Sequence, residues 1–245
     1  MKSIYQSLRS LFYTATSSCI LALSSISPSL AGGVELTNYG HSSILIKGGG
    51  KSVLINPFKA VGCAKGLLEP HVSVDVILAS SLLADEGAKV AKGIFLVTPG
   101  SYQIGGTNFE GFSSPHDRLG GRRFGQTTIW QWQQAGLNFA HLGGAASPLK
   151  GEEKVLIGRP DVLIIAVGGG AKVFNGLEAA QVVSELKPKN VIPVQYLIND
   201  DSAECDLTGV APFLEAMQEF PVRKVGKTFS LRKSSNEGTV INIMR

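Results

Sequence analysis

The chain has 245 residues, 44% of them hydrophobic and 17% charged, with a mean hydropathy of +0.16. That balance excludes a disordered polymer and suits one large domain with a substantial core. The 23 Lys+Arg against 19 Asp+Glu are too evenly matched for a nucleic-acid partner. No uninterrupted apolar run of about eighteen residues occurs, which argues against a multi-pass membrane protein.

In chain order, the first segment stands apart. MKSIYQSLRSLFYTATSSCILALSSISPSLAGG has Lys2 and Arg9, a mildly apolar Ser-rich stretch, and Ser29-Leu30-Ala31, with no acidic residue before Glu35. Residues 1–31 therefore read as an export signal cleaved after Ala31, which predicts a periplasmic or thylakoid-lumen protein. A Ser-rich transit peptide or an ordinary first helix are the alternatives. Removing Lys2 and Arg9 leaves 21 basic against 19 acidic residues, a net of +2. Residues 32–245 form a single mature domain in this reading, with no transmembrane segment. Its two cysteines, Cys63 and Cys205, are expected as buried thiols, although an oxidising compartment would permit a bridge.

VELTNYG, SSILIKG and SVLINPF (34–58) are short runs broken by Gly and Asn-Pro, and predict consecutive antiparallel strands. VDVILAS (74–80) predicts a buried strand and DEGAKVAKG (85–93) a short helix. GIFLVTPG, SYQIGG and TNFEGFSS (93–114) predict further strands. TTIWQWQQAGLNFAHLGG (127–144) predicts a hairpin with Thr128, Trp130 and Trp132 on one face. Then DVLIIAVGG (161–169) reads as a buried strand, GLEAAQVVSELKP (176–188) as an amphipathic helix, and NVIPVQYL (190–197) as a parallel-type strand. APFLEAMQEF (211–220) predicts a helix, and VRKVGKTFSLRK and GTVINIMR closing strands. Two stacked sheets flanked by helices follow from this order.

YGHSSILIKGGGKSVLINPF resembles the opening hairpins of the metallo-β-lactamase superfamily, in the branch of metal-dependent hydrolases that includes the ascorbate-phosphate lactonases. DVILASSLLADEG, SSPHD, LNFAHLGG, RPDVLIIAVGGG and LEAAQVVSELKPKNVIPVQY follow in that family's order, over roughly residues 34–200. The resemblance implies an α+β fold, the four-layer αββα sandwich. It also implies a rim site in which two divalent metals about 3.5–4 Å apart activate a hydroxide, held by imidazole and carboxylate.

Laid on the family's Thr-His-x-His-x-Asp-His run, Ser81, Leu83 and Glu86 stand at histidine positions and Asp85 matches. His116 matches a ligand, Gly144 replaces the bridging aspartate, and Gln195 replaces the last histidine. Asn56 stands where a supporting aspartate is usual. Asp85 and His116 are thus the candidate catalytic residues, and Asp85, Glu86 and His116 the residual metal candidates. No cofactor is expected; the alternative is one divalent ion, Zn or Mn.

Each candidate has a plainer role as well. His41 is expected as a hydrogen-bonded turn residue, His71 as solvent-facing, and His141 as orienting its loop. Asp85 and Glu86 would cap the short helix. RLGGRR (118–123) and the acidic loop of Asp200, Asp201, Glu204 and Asp206 are expected as solvated loops. Two function classes follow: a non-catalytic binding protein for a small molecule or a protein, or a hydrolase of a small ester, lactone or phosphate-bearing substrate with a reduced metal site. A Ser81–His116 nucleophilic pair is a third, metal-free idea.

Overall fold

A computed structural model describes residues 32–198, 205–235 and 238–245. The export-signal reading at 1–31, and Asp200, Asp201 and Glu204, lie outside the described residues.

The chain opens with β1 (Gly33–Gly40), β2 (Ser43–Gly48) and β3 (Lys51–Ile55), paired antiparallel, and β4 (Ser73–Leu78) and β5 (Lys92–Leu96), which add in parallel. A meander follows: β6 (Gly100–Ile104), β7 (Thr107–Pro115), β8 (Gln126–Gln134) and β9 (Leu137–His141). Helix α1 (Gly151–Ile157) leads into β10 (Val162–Ala166), and α2 (Gly176–Leu186) into β11 (Asn190–Val194). After α3 (Ala211–Ala216) come β12 (Val222–Val225), β13 (Thr228–Arg232) and β14 (Val240–Met244). One sheet has the order β13-β1-β2-β3-β4-β5, the other β12-β14-β11-β10-β9-β8-β7-β6. Strands β9, β10, β11, β14 and β12 run parallel, which is why 162–166 and 190–194 are apolar throughout rather than alternating.

Alternation places Ile44, Ile46, Val53, Ile55, Val76 and Leu78 between the sheets, against Phe109, Trp130, Trp132, Phe139 and Ile164. Among the side chains that hydrogen-bond across that layer are two from β8. The Trp130 indole on β8 donates to Ala79 O (2.9 Å). Gln134 Nε2, at the far end of β8, lies 2.9 Å from Lys51 O and 3.1 Å from Gly48 O. Helices α1, α2 and α3 cover the outer face of the eight-stranded sheet. On the outer face of the six-stranded sheet Leu45, Leu54 and Ile77 are packed by Tyr39, Val72, Ala91 and Phe95. The sandwich is therefore of the metallo-β-lactamase type, and among the described residues no α-helix packs on that second face.

The structure departs from the sequence reading in four places. Residues 85–91 form turns and bends and 92–93 open β5, with no helix in the stretch. The Glu86 side chain is drawn fully inside, Gly87 sits so close to the Ser81 carbonyl that a Cβ would meet it at 1.8 Å, and Ala88 N donates to Pro57 O. Asp85 and Glu86 accordingly cap no helix. Helix α1 was not anticipated, and α3 ends five residues after it begins, at Ala216. Finally, Cys63 and Cys205 are joined in a disulfide, not held as two thiols, which staples the loop after β3 to the loop before α3.

Candidate functional site

Strand ends build the site. The residues that follow β3, β4, β7, β9 and β11 are Asn56, Ser80 and Ser81, His116, Gly143 and Gly144, and Gln195, and all gather at one rim. His41, Asn56 and Gln195 hold left-handed backbone, with φ of 51°, 41° and 51°, a conformation that costs side-chain-bearing residues energy and clusters at functional sites.

At the centre is Glu86, fully buried. Its Oε2 accepts from Ser80 Oγ (3.2 Å) and Ser81 Oγ (3.3 Å) and lies 3.1 Å from His116 Nε2. Its Oε1 accepts from Gln195 Nε2 (3.3 Å). Burial is the strongest single influence and opposes the charge. The contact with His116 and the charges of His116, Lys172 and His41 outweigh it and hold the carboxyl at about 2.

His116 Nδ1–H faces the carbonyls of Gly144 (2.7 Å) and Lys172 (3.2 Å). Carbonyls at one nitrogen and a carboxylate 3.1 Å from the other favour the protonated ring. Burial works against this charge, but Glu86 and the Gly144 carbonyl raise the pKa above the usual histidine value. The ring lies where any side chain at position 144 would start, since a Cβ there would meet His116 Cε1 at 2.0 Å and Nδ1 at 2.5 Å.

Lys172, in the loop between β10 and α2, supplies the second cation. Its Nζ donates to Asp85 Oδ2 (2.5 Å) and lies 3.7 Å from Glu86 Oε1. Burial disfavours its charge, yet Glu86 and Asp85 raise its pKa. Nothing in the motif pattern singled out this lysine, which sits in an unremarkable GGGAKVF stretch; only its position at the end of a buried strand hinted at the rim.

The other candidates fall as follows. His41 is buried, with Nε2 3.8 Å from Asp85 Oδ2; burial lowers its pKa against the pull of Asp85 and Glu86. His141 is fully buried in β9 and neutral, its pKa lowered to about 4 by burial, with Glu86 pulling the other way. His71 is exposed, beside Glu69. Asp117 does not serve His116. Its carboxylate accepts from the N–H groups of Leu119, Gly121, Arg123 and Phe124, which hold its pKa at about 2 against burial, and so it shapes the RLGGRR loop. The RLGGRR loop is largely exposed, as expected, and its Arg118 binds Glu178, Gly170 O and Val173 O. Ser81 Oγ donates to Glu86, and no hydrogen bond joins Ser81 to His116 among the described residues, so the nucleophilic pair is not formed.

A metal pair does not fit these residues. Leu83 offers no donor, position 144 has no room for a carboxylate while His116 lies there, Glu86 and His116 face each other, and Asp85 faces an ammonium. Among the described residues no group of three or more His, Cys, Asp or Glu is arranged to hold a metal ion.

Fold and rim together define a metallo-β-lactamase-type protein. The chain belongs to the β-lactamase superfamily: residues 35–195 match the Beta-lactamase superfamily domain. No curated protein matches it. Among solved structures it is similar to a Thermotoga maritima protein described provisionally as a Zn-dependent hydrolase of the metallo-β-lactamase superfamily, with 24% identity, TM-score 0.70, and 86% of this chain and 98% of that one covered. It is also similar to a novel metallo hydrolase from Ignicoccus hospitalis (16% identity, TM-score 0.56, 82% and 100% covered). An isothiocyanate hydrolase from Delia radicum gut bacteria gives 13% identity and TM-score 0.59, with 82% and 100% covered. These similarities show the fold.

Proposed function

We propose that this chain is an exported, non-catalytic member of the metallo-β-lactamase fold that binds a small molecule beside a dismantled metal centre. The observation that carries this reading is the His116 ring in the space of the missing residue-144 side chain, locked to Glu86 on one side and Gly144 O on the other. A hydroxide-generating pair needs open coordination positions, whereas here Glu86 and His116 face each other and Asp85 holds the Lys172 ammonium.

A groove of about 480 Å³ adjoins the centre, lined by Ser81, Leu82, Leu83, Val97, Pro99 and Phe124 among others. Its size and its mix of apolar walls with a few hydroxyls suit a small, largely apolar ligand. Leu82 is 71% exposed at its edge. The left-handed backbone at His41, Asn56 and Gln195 supports a rim held to a defined shape. Export is supported by the Cys63–Cys205 disulfide, since such bonds persist in oxidising compartments. Among the described residues no helix is long and apolar enough to cross a membrane.

The alternative, a hydrolase with one ion on Asp85, Glu86 and His116, draws on family membership. It requires those three groups to turn from their present partners towards a common point. Elemental analysis of the dialysed mature protein separates the readings: a metal-free protein is expected, and two metals per chain would overturn the non-catalytic reading. An apolar naphthalene-type fluorophore should bind wild type and be lost from Leu83→Glu; equal binding would remove the groove from the proposal.

A further inference from the structure

Lys172 is not placed as a surface lysine would be. The loop that carries it is fastened on both sides. Gly169 N donates to Phe174 O, Ala171 N to Asp206 Oδ2 (3.0 Å), and Phe174 N to Ala145 O. Arg118 binds the carbonyls of Gly170 and Val173, and the Lys172 carbonyl itself accepts from His116. From this fixed backbone the side chain reaches inward to Asp85 and Glu86. Gln195 reaches the same Glu86 oxygen that Lys172 approaches. Positions 85, 86 and 195 are ligand positions in the family pattern; in this chain 85 and 86 face an ammonium, and 195 binds the Glu86 oxygen that the ammonium approaches.

We propose that Lys172 is a resident cation that takes a divalent ion's seat at positions 85, 86 and 195 and keeps metal out of the centre; this rests on the non-catalytic reading above. Charge supports it. Lys172 already sits in contact with Asp85 and 3.7 Å from Glu86. A divalent ion entering beside it would crowd cations together in a poorly solvated site. To bind, it would have to expel an ammonium already in contact with Asp85. Without that ammonium the same pocket presents two carboxylates, the unpartnered buried His41 Nε2 and the unpartnered buried Gln195 Oε1. One imidazole and three oxygen donors suit Zn or Mn.

The test compares mature wild type, Lys172→Met and Lys172→Arg, each exposed to Zn or Mn and dialysed, by elemental analysis and by the shift of Tm with metal concentration. Wild type and K172R should hold no metal. K172M should hold about one ion per chain and gain Tm as metal rises, as any ligand that prefers the folded state produces. Metal bound to wild type would overturn both this inference and the non-catalytic reading. A metal-free wild type together with a folded, metal-free K172M would overturn this inference alone. If K172M does not fold, Lys172→Gln, which keeps a hydrogen bond to Asp85 without the charge, is scored by the same two outcomes.

Discussion

A glycine and a histidine compete for one volume at the rim. Gly144→Asp, which by pattern alone would restore a ligand, has to displace the His116 ring, because its Cβ would lie 2.0 Å from Cε1. Overpacking of this kind costs about 1–3 kcal/mol; denaturant melts should show the loss, and Gly144→Ala, whose Cβ meets the same ring, should show it as well. The same residues set the response to pH. Glu86 sits at about 2 against an ordinary 4.5, so its contribution is complete above pH 4.5 and is lost as pH falls towards 2. His141 sits at about 4 against 6.5; its buried ring stays neutral while the unfolded chain takes up the proton, so stability falls by about 3 kcal/mol between pH 6.5 and 4. His116 is raised, so its share is complete below 6.5 and is lost as pH climbs through its folded value. Imidazole nitrogen spectra should show His141 neutral at pH 5 and His116 doubly protonated at pH 6.5; a charged His141 at pH 5 would refute the assignment.

At the scale of elements, the turn between β8 and β9 uses Ala135 and Gly136 with φ of 49° and 78°. Both central residues of such a hairpin turn need positive φ, and alanine there is strained. Ala135→Gly should raise stability by about 1 kcal/mol, read as a higher denaturation midpoint; no change would mean the turn relaxes. Helix α2 begins at a capping box in which Asn175 and Glu178 bond each other's backbone N–H groups, so Asn175→Ala should cost about 1 kcal/mol. The strands were legible because alternation and apolar runs report burial directly. The stretch 85–93 was misread because its charged and small residues suit a helix, whereas Glu86 is pulled inward by Ser80, Ser81, Gln195 and His116, contacts made by residues up to 109 positions away. Helix α1, only seven residues long, gave too short a period to register. Lys172 was illegible for a related reason: its meaning lies in Asp85 and Glu86, which only the fold brings near. The ligand positions 81, 86, 116, 144 and 195 do meet at one rim, but what they do there depended on that unseen lysine.

Across the whole molecule, the Cys63–Cys205 bridge closes a loop with a sequence separation of 142. Its loss in Cys63→Ser with Cys205→Ser should cost about 2–4 kcal/mol, and thiol titration of unfolded, unreduced wild type should find neither cysteine free. Between the sheets, Trp130→Phe would strand the Ala79 carbonyl, at a cost of about 1–3 kcal/mol. That indole has another use. The chain has only two tryptophans, both inside the sandwich, with Trp132 stacked on Phe139 and Trp130 bonded to the carbonyl just before Ser80 and Ser81. Tryptophan emission therefore arises from between the sheets, with Trp130 beneath the rim and Trp132 towards the other end, beside Gln134. Emission should be blue-shifted and shielded from iodide in the folded protein, and a ligand settling on Ser80 and Ser81 should alter it through the Ala79 carbonyl. The molecule thus carries a built-in optical gauge of its own groove, usable before any ligand is identified.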